Sequence, residues 1–434
     1  MRTASRWSIS GACLLIVAAL GCSPTRASST HPSWQQPVDA ASPPAGQSGI
    51  PVAVDAKLNR SGDVTRLVID LNTKVSIAAV LTEHPDRLVV DLPEVNFQVD
   101  PAAGRPEPGR DGLIRAFRFG VFAPGRSRIV ADLAGPAVLR RAEVSSIAGG
   151  HASHLTLELA PTDRAAFHAA ARPPQALPGA DLSSRLAEPA TGHPVVVIDP
   201  GHGGLDPGAS GVLGTVEKDV VLHFATALAA RLAVGDHYRV VMTRHDDSFV
   251  SLSDRMRIAR DAEASLMISV HADTLSDGSV TGATVYTAAD QASDGEAARV
   301  AAKENEADAA AGLDEAPKAA DVSDILFDLT RRETRTYAHQ FQRTLTGYWS
   351  KVAHLNHNPE RAAGFKVLQA PDVPSVLLEL GYLSSGTDAR LLVSDEWRGK
   401  AVDSVAAAVD TFFSARAPSP ATVVGTPPGP AAMR

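Results

Sequence analysis

Cysteine is nearly missing from this chain: of 434 residues only Cys13 and Cys22 carry a thiol, and both lie near the start. A mature chain cut near Cys22 keeps at most one of them, which excludes a disulfide framework. Aromatic residues are also sparse, at 5%, yet 44% of the chain is hydrophobic and rich in alanine, enough to bury a core. No long basic stripe occurs and the formal net charge is -8, which argues against a nucleic-acid partner. Long apolar runs are missing too. The one near the start, Ile9 to Leu20, falls short of the roughly 20 residues that span a bilayer, and no other segment is apolar enough to cross one.

What is present begins with Arg2 and Arg6 ahead of that short run, the pattern of an export signal over 1–22. Ala19-Leu20-Gly21-Cys22-Ser23 resembles a lipoprotein signal, in which the cysteine is lipidated, although Ala19 stands where leucine is usual. An ordinary cleaved signal with a chance cysteine is the alternative. Residues 23–50 are rich in Ser, Pro and Ala and read as a disordered tether. The expected location is the periplasm or cell envelope, with an outer-membrane anchor if Cys22 is lipidated.

The length suggests two or three domains. Residues 51–160 hold short β-branched runs: Arg66–Leu71, Arg87–Leu92, Ile114–Phe119, Arg128–Leu133 and His154–Leu159. Pro and Gly clusters divide them, which predicts a small all-β sandwich. An Arg-(apolar)-Asp-Leu pattern recurs at Arg66, Arg87 and Arg128, read as charge on the outer face of strands and not as a site. Residues 161–193 are Pro- and Ala-rich and predict a linker. From 194 to 416 strands and helices alternate, which predicts an α/β domain: a three-layer sandwich with a largely parallel mixed sheet flanked by helices. The tail, 417–434, is Pro-rich and reads as disordered.

The second domain opens on Val195-Val196-Val197-Ile198-Asp199-Pro200-Gly201-His202-Gly203-Gly204, a buried strand breaking into a tight turn. Alone, His202 is as readily a loop histidine as a ligand. Glu217 begins the first helix of the domain, and His271 follows the apolar run Leu266–Val270. Two histidines at strand ends with a carboxylate at a helix start make a His₂Glu set, the ligand type of a catalytic zinc site. Glu379 lies inside the apolar strand Ser375–Leu380. A carboxylate there is costly unless paired or used. A structural ion pair with Arg361 or Arg390 is one reading, and a general base with a raised pKa is the other. The zinc set in the same sheet favours the second.

Five stretches carry a family resemblance: Ile198-Asp199-Pro200-Gly201-His202-Gly203-Gly204-Leu205-Asp206-Pro207-Gly208-Ala209, Glu217-Lys218, Thr243-Arg244, Ser269-Val270-His271-Ala272-Asp273 and Pro374-Ser375-Val376-Leu377-Leu378-Glu379-Leu380-Gly381-Tyr382. In these the second domain resembles the zinc-dependent N-acetylmuramoyl-L-alanine amidases of the amidase-3 family. The first domain resembles an AMIN domain in its strand pattern, Arg87–Pro93 and Ile114–Gly120. The resemblance implies one Zn²⁺ on His202, Glu217 and His271, catalysis by Glu379, and hydrolysis of the amide between N-acetylmuramic acid and L-alanine. It also implies peptidoglycan binding by the sandwich. Leu380 departs from the family's usual threonine.

Residues 290–324 form an acidic, Ala-rich insert. It reads as a solvated helical insertion. The resemblance implies more: a helix that covers the zinc, a blocking glutamate at Glu304 or, second, Glu306, and an activator with a LytM-like domain that displaces it. A role in daughter-cell separation follows from the same resemblance. A zinc peptidase acting on stem peptides and an inactive peptidoglycan-binding protein are the alternatives.

Overall fold

The computed structural model describes residues 49–105, 112–147, 152–172, 192–313 and 325–416. The expected signal, most of the tether, the end of the insert and the tail fall outside these residues.

The N-terminal region is all β. One sheet has the order β5 (Asn96–Phe97), β1 (Val52–Ser61), β2 (Val64–Leu71), β9 (Ser153–Pro161), β8 (Ala137–Ser146). The other runs β3 (Ala78–Thr82), β4 (Arg87–Pro93), β7 (Arg126–Leu133), β6 (Ile114–Ala123). Alternating residues such as Leu67, Ile69, Leu88, Val90, Ile129, Leu155 and Leu157 point inward and form one buried cluster between the sheets. The segment expected as linker starts with a helix, α1 (Arg164–Ala170). Asp163 caps it by accepting from the Ala166 N–H at 2.8 Å, and Phe167 is fully buried in the sandwich core. The expected linker thus begins with a helix packed on the sandwich, and its residues 173–191 lie outside the described ones.

The C-terminal region holds a six-stranded sheet in the order β11 (Arg239–Met242), β10 (Val195–Pro200), β12 (Leu266–His271), β15 (Ser375–Glu379), β13 (Ala283–Ala288), β14 (Leu355–Ala363). The first four strands are mutually parallel; β13 is antiparallel to β15 and parallel to β14. β14 is too polar to stand out in the sequence, because an edge strand need bury only part of itself.

Helices cover both faces. Helix α2 (Glu217–Leu232), the long helix α6 (Ile325–Trp349) and α8 (Asp395–Ser414) enclose one core with Val196, Ile198, Ile268, Val376 and Leu378. On the other face α3 (Leu252–Asp261) and the insert helix α4 (Gly295–Glu304) cover Val197, Met267, Tyr286 and Leu377. A one-turn helix, α5 (Ala307–Ala310), follows α4, and α7 (Gly386–Leu392) precedes α8. The two-residue period of a strand puts Asp199, His271 and Glu379 on the second face, beneath the insert. The insert helix buries Ala297, Val300, Ala301 and Glu304, spaced i, i+3, i+4, i+7. Its apolar stripe is narrow because alanine lets the helix lie close to the sheet, which is why it reads as solvated from composition.

Candidate metal centre

Each site residue sits where an apolar element runs out. β10 ends at Pro200, and His202 follows in the left-handed region with φ of 58°. Such a backbone is costly for a residue with a Cβ. Two buried arginines hold it there. Arg255 Nη2 donates to the His202 carbonyl at 2.7 Å, and Arg244 Nη2 donates to the Gly201 carbonyl at 2.7 Å. Arg255 is itself paired with buried Asp199 at 2.7 Å. Burial, then neighbouring Arg255, pushes the Arg244 pKa down to about 10.

The glycines around the turn make room for the site itself. A methyl group at Gly201 would lie 2.4 Å from His271 Cε1, and one at Gly208 would lie 2.7 Å from Glu217 Oε2. The space the glycines leave is filled by the neighbouring site side chains.

Glu217, the first residue of α2, is fully buried. Its Oε1 accepts from the Ala272 N–H at 2.9 Å and its Oε2 from the Ala209 N–H at 2.8 Å. Burial would raise its pKa, but facing His202 and His271 hold it well below the usual carboxylate range. His271 closes β12, where the ladder sets it directly opposite Glu379 of β15.

His202 Nε2 lies 3.2 Å from Glu217 Oε2, and His271 Nδ1 lies 3.3 Å from Glu217 Oε1. Glu304, the last residue of the insert helix, brings Oε2 to 3.0 Å from His271 Nδ1 and 3.4 Å from His202 Nε2. Donor atoms of His202, Glu217, His271 and Glu304 all lie within 4.8 Å of one another. Glu306 is exposed and stands outside this group.

The cluster fits a divalent metal. His202 Nε2 and His271 Nδ1 are buried without a hydrogen-bond partner, although both face carboxylates. A buried polar atom left so is expensive unless another ligand takes it. Two imidazoles and a carboxylate are the donors of a catalytic zinc site. The other ring nitrogen of His202 meets Asp206 Oδ2 at 2.9 Å, the usual device for fixing a ligand histidine's tautomer. Burial alone would push both histidines down. The carboxylates outweigh it, raising His202 well above its ordinary value and His271 to about 10, an attraction a cation would share.

Glu379 is fully buried beside the cluster. Its Oε2 accepts from the Asp273 N–H at 3.0 Å, while Oε1 has no partner. Burial, reinforced by Asp273, Glu217 and Glu304, lifts its pKa well above the carboxylate range, against the opposing effect of His271. Among the described residues it forms no ion pair, and Arg361 is taken by Glu296 and Asp294. Leu380 belongs to the larger apolar core, and its N–H donates to the His271 carbonyl at 2.9 Å.

Sequence reasoning missed Asp206, four residues after His202, and the contact of Lys303 with buried Asp273. The first could have been found from the spacing of a carboxylate behind a ligand histidine. The second joins residues thirty apart and leaves no local signal.

A buried group of ionisable side chains at the carboxyl ends of a largely parallel sheet defines the class: an enzyme built on an open α/β sheet. Known proteins then give the family. The N-acetylmuramoyl-L-alanine amidase model (Amidase_3) matches residues 196–411, and the AMIN domain model matches residues 55–157. The chain is 30% identical over 381 residues to N-acetylmuramoyl-L-alanine amidase AmiC of Neisseria meningitidis serogroup B, covering 83% of this chain and 89% of that one. It is 28% identical over 368 residues to AmiC of Escherichia coli O6:H1, covering 81% and 87%. A solved N-acetylmuramoyl-L-alanine amidase from Clostridium difficile 630 aligns at 22% identity and TM-score 0.37, covering 52% of this chain and 98% of that one. The chain belongs to the N-acetylmuramoyl-L-alanine amidase family.

Proposed function

We propose that this chain hydrolyses the amide between the lactyl group of N-acetylmuramic acid and the L-alanine of the peptidoglycan stem peptide. In this reading His202, Glu217 and His271 hold one zinc ion, Glu379 carries the proton, and Glu304 blocks the centre. The observation that carries it is the pair of buried, partnerless ring nitrogens, His202 Nε2 and His271 Nδ1, converging on Glu217.

Zinc bound there supplies Lewis acidity to the scissile carbonyl and lowers the pKa of water. The chain's own groups handle charge and protons. Glu217 stays ionised, fixed by two backbone N–H groups. Glu379 keeps one oxygen free at the end of β15, and its raised pKa lets it take a proton from the attacking water and return it to the departing amine of L-alanine. Glu304 Oε2 lies against both histidines, where a substrate oxygen would have to approach.

The AMIN match and the AmiC relatives support targeting to peptidoglycan and a periplasmic or envelope location. No helix among the described residues is long and apolar enough to cross a membrane. Lipidation at Cys22, a LytM-like activator and a part in daughter-cell separation complete the proposal.

The test uses the purified full chain on sacculi, with mass spectrometry of the released material and a zinc assay. Intact stem peptides freed from glycan are expected. Cleavage inside the stem would sink the reading in favour of a peptidase. Glu379→Gln should retain zinc and lose about 10²-fold or more in rate; normal turnover by that variant would remove Glu379 from the chemistry. For the block, Glu304→Ala is sharper than deleting 297–308, because deletion would remove the apolar stripe and bare the sheet face it covers. Raised basal release is expected, and unchanged release would sink the blocking role.

A further inference from the structure

The one-turn helix α5 follows the insert helix, and strands of the N-terminal sandwich meet the chain at its end. β4 and β7 pair antiparallel with Arg87 opposite Asp132 and Asp91 opposite Arg128, so their repeated pattern becomes two crossed ion pairs. The pattern was expected to be surface charge. That description fits the third copy: Arg66 is half exposed on the other sheet and meets Glu158. It fails for Arg128, which is fully buried.

Arg128 is held by Asp91 through Nε and Nη2, lies 3.6 Å above the Phe122 ring, and donates from Nη1 to the Ala311 carbonyl at 3.1 Å. Arg118 of β6 is paired with Asp132 at 2.7 Å. It donates through Nε to the Ala310 carbonyl and through Nη2 to the Ala309 carbonyl at 3.2 Å. Two guanidiniums therefore take three successive carbonyls at the end of α5, where a helix terminus leaves acceptor capacity unused.

Apolar contact reinforces the seat. Ala311 is fully buried in a small cluster with Val89, Val130 and Phe122 of the sandwich and Leu205 and Phe249 of the catalytic region. At Gly312, φ is 71°, and a Cβ would stand 3.0 Å from Val89 Cγ2. Leu205 lies three residues past His202, so the cluster reaches back to the turn of the metal centre.

We propose that the β4–β7–β6 face of the sandwich is the latch of the insert: by gripping Ala309–Gly312 it holds Glu304 over the metal centre. The sandwich then regulates the site as well as targeting it. Whatever occupies this face in place of the insert must release the helix that carries Glu304. The grip stands on its own contacts; only its consequence for activity rests on the blocking role proposed above.

Hydrogen exchange of the full chain, read by mass spectrometry, tests the latch. Arg118→Ala removes the grip from the sandwich side. Ala311→Leu removes it from the insert side by overfilling the fully buried seat, without altering a sandwich residue. In both, amides of 297–311 should exchange about tenfold faster, the scale of one lost hydrogen bond to a charged group. Amides of β2 and β9 serve as the folding control and should keep their protection. Faster exchange in the insert with these amides protected supports the latch, and unchanged exchange in both variants overturns it. Peptidoglycan release is measured alongside, with Glu304→Ala as reference. If Glu304→Ala raises release and neither latch variant does, the latch is overturned as a regulator. If the latch variants loosen the insert and Glu304→Ala leaves release unchanged, the grip is supported and the blocking role has failed.

Discussion

On the face of β4 and β7, Arg128 is buried with both oxygens of Asp91, the Ala311 carbonyl and the Phe122 ring around it. At the ends of β10, β12 and β15, His202 Nε2, His271 Nδ1 and Glu379 Oε1 are buried with no hydrogen-bond partner. Both regions confine charge away from water. In the first, Nε, Nη1 and Nη2 of the guanidinium each find an acceptor, and the result is a joint. In the second, ligand atoms are left over, and the result is a place for something to bind. The difference teaches how to tell structural from chemical burial: by what remains unsatisfied once the chain has folded.

The largest effect on this contrast comes from breaking the satisfied pair. Arg128→Ala removes two charge-assisted hydrogen bonds to Asp91, whose side chain is 28% exposed, and opens the seat of Ala311; it should cost about 2–3 kcal/mol, the scale of hydrogen bonds to a charged group. Denaturant unfolding of the full chain reads it, and a loss below about 1 kcal/mol would show that the pair holds nothing.

At the unsatisfied site the next effect is on metal and not on folding. Asp206→Asn weakens the hold on His202 Nδ1 and should reduce zinc affinity by about 10–100-fold, as loss of such a carboxylate does. Competition with a chelator of known affinity measures it, and unchanged affinity would mean that Asp206 only braces the turn.

A third prediction uses pH. Burial raises the folded-state pKa of Glu379 above its unfolded value. The cost of burying this carboxyl is therefore absent below the ordinary glutamate pKa and grows as pH rises through that value towards the folded one. In metal-free protein, Glu379→Gln should match the parent at about pH 4 and exceed its stability at about pH 8. Equal denaturation midpoints at both would contradict the shift. The smallest effect belongs to the exposed copy of the Arg-Asp pattern: Arg66→Ala should change stability by less than about 1 kcal/mol, and a Tm loss matching that of Arg128→Ala would erase the distinction between the two faces.

How much of this was legible in the sequence follows from the range of each interaction. His202, Glu217, His271 and Glu379 each sit at the edge of, or inside, an apolar run, so local pattern exposes them. The sheet was readable for the same reason, apart from polar β14. Glu304 could be named only by its position in the insert, because nothing local distinguishes it from Glu306; the fourth-residue spacing from Val300 does so once a helix is granted. Arg128 was read as charge on an outer strand face because the group that covers it, the Ala311 carbonyl, lies more than 180 residues further along.

The ladder between β12 and β15 sets His271 against Glu379 by main-chain hydrogen bonds alone. Side chains alternate along a strand, so moving β15 by one residue would turn Glu379 to the opposite face and bring Leu378 into its place. Anyone grafting loops or inserting residues into this scaffold thus has no freedom between Ser375 and Glu379, where a single added amino acid would re-aim the acid while leaving every strand intact.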